Sequence, residues 1–74
     1  QQWDEAIAAL EESLERGARD PATLVALGEA YEATDERVRA LEMMQRAAEA
    51  GLKSPALDAR IERLGREVDA EWDF

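Results

Sequence analysis

The sequence predicts an all-α fold of about four helices stacked as helix–turn–helix units, and three observations lead there. Apolar residues recur at three- and four-residue spacing along four separate segments, the pattern of amphipathic helices. A glycine closes one segment and a proline opens the next, and this happens twice. The whole pattern also repeats. Gly17, Pro21 and Ala22 recur as Gly51, Pro55 and Ala56, while Ala6, Ile7, Leu10 and Glu15 recur as Ala40, Leu41, Met44 and Glu49. A period of roughly 34 residues belongs to stacked helical hairpins.

The first helix is expected from Trp3 to Arg16, with Trp3, Ala6, Ile7, Leu10 and Leu14 as its apolar stripe and Gly17 as its stop. Asp20-Pro21 then supplies a capping acceptor and a first-turn proline, so the second helix is expected from Pro21 to Ala33, with Leu24, Leu27, Gly28 and Tyr31 on one face. Thr34-Asp35 is a short polar break. The third helix is expected from Glu36 to Ala50, with Val38, Ala40, Leu41, Met44, Ala47 and Ala48 as its apolar face and Gly51 as its stop. Ser54-Pro55 opens the fourth, whose stripe of Leu57, Ile61, Leu64, Val68 and Trp72 is longer and heavily flanked by charge. Gly65 inside it costs roughly 1 kcal/mol relative to alanine. The expected core is Leu10, Leu27, Tyr31, Leu41, Met44, Ile61 and Leu64.

Composition removes whole classes of function. The chain has 74 residues, so it forms one small domain at most. A chain of this size buries about 60% of the surface its unfolded form exposes, which leaves its own core marginal. It has no cysteine and no histidine, hence no disulfide, no thiol nucleophile and none of the usual neutral metal ligands or general bases. Eighteen acids face nine bases, a net charge of −9, which argues against nucleic acid and against anionic lipid. The bases are eight arginines and the single Lys53, a bias that fits either a GC-rich genome or a surface adapted to high salt. No apolar run approaches the about 20 residues of a membrane helix and no signal peptide is visible, so a cytoplasmic protein is expected.

Leu24, Leu27-Gly28, Tyr31, Ala40, Met44 and Ala47 together resemble a tetratricopeptide repeat. Gly28 and Ala40 are small where two antiparallel helices must approach closely, and the larger residues fill the seam and the contact with the next pair. The resemblance implies a short right-handed α-solenoid of antiparallel hairpins within a single domain, 1–74. Residues 1–20 would hold the second helix of a partial repeat, 21–54 one complete repeat, and 55–74 a C-terminal capping helix. The resemblance covers about three quarters of the chain. It lapses in the last segment, where Glu62 and Gly65 stand at the positions equivalent to Gly28 and Tyr31. That departure suits a terminal helix that shows water a polar face.

The resemblance also implies a concave surface that cradles a peptide, here built from Ala22, Val25, Ala26, Glu29, Glu32 and Ala33 with Arg60 and Arg63. Val25, Glu29, Glu32, Arg60 and Arg63 are the candidate partner-binding residues, and the two glutamates would favour a basic or amphipathic segment. The basic carboxylate clamp of the family's chaperone-binding members is not expected, because Val25, Ala26 and Glu29 occupy its positions and Arg60 alone fits it. Trp3, Ile7, Leu10 and Leu14 are the candidate self-association residues, exposed if no helix precedes them. Arg60, Arg63 and Arg66 form either an anion site or a salt-bridged face, since Glu62–Arg66 and Arg63–Glu67 are four-residue pairs, as are Glu12–Arg16, Glu15–Arg19 and Glu42–Arg46. The carboxylate groups Glu11-Glu12, Asp35-Glu36 and Asp69/Glu71/Asp73 have neither the spacing of a calcium loop nor a cleft to raise a pKa. Glu71-Trp72-Asp73-Phe74 reads as an acidic–aromatic docking tail or as an ordinary helix end. The functional expectation is a protein–protein interaction module with no catalytic residue, cofactor or metal, and the alternative is a structural element for homo-oligomerisation.

Overall fold

A computed structural model describes residues 2–18 and 20–72, the side chains of Glu71 and Trp72 excepted. Among the described residues the chain forms four helices and no strand: α1 (Trp3–Glu15), α2 (Pro21–Ala33), α3 (Arg37–Glu49) and α4 (Pro55–Trp72). The bounds expected for the first three helices and the start expected for the fourth lie within one residue of those observed. The Trp72, Asp73 and Phe74 side chains of the proposed tail, and the Glu15–Arg19 pair, lie outside the described residues.

The punctuation works because each signal is local. After α1, the Gly17 amide donates to the Leu14 carbonyl at 3.0 Å and the Ala18 amide to the Ser13 carbonyl at 3.0 Å. After α3, Gly51 donates to Ala48 at 3.0 Å and Leu52 to Ala47 at 3.2 Å. Both are Schellman motifs, and both need a left-handed residue at their centre. Gly17 and Gly51 supply it, with φ of 102° and 108°. The starts match as well. Asp20 accepts from the Thr23 amide at 3.0 Å and its hydroxyl at 2.9 Å, and Ser54 Oγ accepts from the Leu57 amide at 3.3 Å. The Thr23 hydroxyl, then its amide, holds the Asp20 carboxyl below its ordinary range. The sequence echo is therefore an echo of hydrogen bonds.

Gly51→Ala is expected to cost about 1–2 kcal/mol, the penalty for a Cβ in left-handed backbone. Nothing lies within 4 Å of the added Cβ, so the penalty is conformational and not steric. D-alanine at the same position should therefore melt at or above the parent temperature, whereas a D-alanine protein as unstable as Gly51→Ala would show that sterics govern the site.

Consecutive helices pack backbone to backbone, α1 on α2, α2 on α3 and α3 on α4, while α2 and α4 meet only through longer side chains. The three-residue connection 34–36 lays α3 back along α2, which is the most extensive of these contacts. Because α2 is flanked on two sides it buries Leu24, Leu27, Gly28, Ala30 and Tyr31, and its sequence accordingly carries just two charges. The core continues through Ala40, Met43, Met44 and Ala47 of α3 to Leu57 and Leu64 of α4. Leu10, Leu41 and Ile61, expected in the core, pack against it half-buried. Val38 is a correction: it is 48% exposed, and Met43 takes the buried place instead. Residues 40, 43, 44 and 47 define one helical face, and position 38 points away from it. The Cα radius of gyration, 12.2 Å, exceeds the about 11 Å of a compact domain of this length, and the extents are 38 × 28 × 19 Å.

Candidate functional site

Helices α1, α2 and α4 line an open groove of about 630 Å³. Trp3, Ala6 and Leu10 come from α1, Ala26, Glu29, Ala30, Glu32 and Ala33 from α2, and Arg60 and Arg63 from α4. One side is thus apolar and the other polar, with alanines between them. Glu29, Glu32, Arg60 and Arg63 are all brought together here, as the sequence reading expected. Val25 lies outside this groove but joins Glu29 and Arg60 in lining an adjoining depression of about 260 Å³, with Leu52, Ala56 and Leu57.

The polar side is built from ion pairs that cross between helices. Arg60 donates to Glu29 at 2.9 Å, and one turn further along both helices Arg63 donates to Glu32. Both pairs span 31 residues, so α2 and α4 run in the same direction past each other. The second pair extends into a chain of charges, because Arg63 also meets Glu67 at 3.7 Å, Glu67 meets Arg37 at 3.4 Å, and Arg37 meets Asp35 at 2.9 Å. These side chains are partly solvated, so each pair contributes modestly, in the range of about 0–1 kcal/mol. What the pairs do is set charge: the two glutamates expected to make the groove acidic are each matched by an arginine.

The in-helix pairs also form, with Arg66–Glu62 and Arg16–Glu12 both at 2.6 Å and Arg46–Glu42 at 3.4 Å. Arg60, Arg63 and Arg66 are therefore each met by a glutamate, and they do not converge as an anion site. Among the described residues no group of three or more acidic side chains is placed to hold a metal ion, and no helix is long and apolar enough to cross a membrane.

The structure divides the four candidate self-association residues. Ile7, Leu10 and Leu14 are half-buried against the core, with Leu10 also reaching the groove, while Trp3 is 38% exposed on the groove wall. Beyond its first turn, where Trp3, Asp4 and Glu5 are exposed, α1 leaves Ala8, Ala9, Glu12 and Glu15 outward. No residue of α1 is buried, so packing on α2 covers this apolar face only in part.

Tyr31 joins α1 to α2 in a way no sequence signal announced. Its buried ring lies under the Arg39 guanidinium, 5.8 Å from ring centre to charge, and its hydroxyl donates to the Glu11 carboxylate. Burial first, then the hydrogen bond to Glu11 and its negative charge, push the phenol up to about 12 from an ordinary 10.0, against the opposing pull of Arg39. Because the folded value is the higher one, this contribution to stability is intact below pH 10 and is lost as pH rises toward 12. Urea unfolding should therefore weaken across that window. The same titration of Tyr31→Phe should lack this component, and an unchanged slope would contradict the assignment. Tyr31 is the sole tyrosine, so phenolate absorbance reads the site directly.

The chain matches no family model, no curated protein and no solved structure.

Proposed function

We propose that the chain is a protein–protein interaction module of tetratricopeptide type, a short right-handed solenoid that binds a partner segment in the groove between α1, α2 and α4. On this reading α2 and α3 make one complete repeat over 21–54, α1 is the second helix of a partial repeat, and α4 is the solvating cap. Two placements support it. Leu24, Leu27, Gly28, Tyr31, Ala40, Met44 and Ala47, which carry the resemblance, are all buried. The parallel course of α2 and α4 is the relation expected between equivalent helices of successive units. The observation that carries the binding role is the groove itself, which combines an apolar wall, a small-residue floor and an ordered polar wall, the composition of a recognition surface.

The test fills the groove without touching the core. Ala26 is half-buried and Ala33 exposed, so Ala26→Gln with Ala33→Gln adds bulk there using good helix formers. The parent should give saturable binding to members of a peptide array. The filled protein, melting like the parent, should lose it. Binding that survives filling overturns the proposal, and a stable dimer that binds no peptide selects the self-assembly alternative.

A further inference from the structure

We infer that the occupant of this groove is a short amphipathic helix carrying a lysine or arginine at the end that lies over Trp3, an inference that rests on reading the groove as a binding surface. Charge is unevenly distributed along the groove. Its middle is compensated, because Glu29 and Glu32 are held by Arg60 and Arg63. Its Trp3 end is not. Trp3 belongs both to the groove and to an adjoining depression of about 330 Å³ lined by Gln2, Asp4, Glu5 and Thr34. Asp4 and Glu5 are exposed, and among the described residues neither has an ion-pair partner. An exposed indole flanked by two free carboxylates attracts a cation through both the ring face and the charges.

The rest of the groove suits a helix. Ala26, Ala30 and Ala33 of the floor and the paired residues 29/32 and 60/63 of the wall repeat at one helical turn, the spacing into which the ridges of a docked helix fit. A floor of alanines permits close approach, and the apolar wall of Trp3, Ala6 and Leu10 takes an aliphatic stripe. A second copy of the chain is the poorer fit, since two molecules of net charge −9 repel.

Three helical peptides with one alanine–leucine stripe test this, differing at one end by lysine, glutamine or glutamate and titrated calorimetrically at low salt. The lysine peptide should bind the parent roughly tenfold more tightly than the glutamate peptide. Asp4→Asn with Glu5→Gln should bring the two within about twofold, and added salt should do the same. Trp3→Leu, which keeps the wall apolar, should also shrink the preference, and it decides the matter should the double variant lose α1. Equal binding of all three peptides to the parent, abolished by Ala26→Gln with Ala33→Gln, overturns the inference while leaving the groove reading in place. No binding of any peptide overturns both.

Discussion

Gly28→Leu should destabilise the protein by about 3 kcal/mol or more, at or beyond the upper end of ordinary overpacking. A Cβ at position 28 would stand 2.9 Å from Met44 Cε, 3.2 Å from Sδ and 3.3 Å from Cγ. The tip of Met44 can shift for a single methyl, but Met44 is 0% exposed, so the three further carbons of leucine must enter a closely packed core. A domain of this length has a total stability of roughly 4–11 kcal/mol, so the loss is a large share of it. Gly28→Ala is the informative partner. It gains about 1 kcal/mol of helix propensity but meets the same methionine. Gly28→Ala with Met44→Leu, which removes the nearest atom, should therefore be more stable than the two separate changes sum to in a double-mutant cycle. Urea unfolding followed by circular dichroism measures all of them. A Gly28→Leu protein that unfolds like its parent would mean that α2 and α3 do not meet at this point.

Leu64→Ala should cost about 2–5 kcal/mol and should act on α4 before the rest of the fold. Leu64 is 0% exposed, and the backbone of α4 lies close to that of α3 alone, with α2 reached through side chains. Alanine and leucine are both good helix formers, so the cost is packing and not propensity. Once α4 loosens, Arg60 and Arg63 leave Glu29 and Glu32, and the polar wall of the groove goes with them. Amide hydrogen exchange should accordingly rise first in 55–70, with α2 and α3 retaining their protection. Uniform loss of protection along the chain would instead make the four helices one cooperative unit.

The helices were legible because their boundaries are written locally. Gly17 and Gly51 each satisfy carbonyls within five residues, and Asp20 and Ser54 each cap an amide three residues on. The face of α2 was legible because so little of it is charged. The face of α3 was not fully so. Val38 and Met43 are both apolar, and a helix facing α2 on one side and α4 on the other selects position 43 through neighbours that no periodicity names.

The groove residues were legible through the period, but their pairing was not. Arg63 has Glu67 four residues away, which satisfies a local reading and hides its cross-helix partner Glu32. A signal for the cross-helix pairs was present: the repeat length less one turn is the 31-residue separation of both Glu29–Arg60 and Glu32–Arg63. For Glu11 and Tyr31, 20 residues apart on different helices, nothing comparable existed. Their bond depends on how α1 sits on α2, and so does the partial cover of Ile7, Leu10 and Leu14.

The central claim is that three consecutive features, the wall of α1, the floor of α2 and the arginines of α4, form one binding surface. Amide chemical-shift mapping with the lysine-ended helical peptide tests it most directly. Perturbations are expected to be confined to residues 3–10, 26–33 and 60–63. Perturbations centred on the outward positions Ala8, Ala9, Glu42 and Glu49 would contradict it.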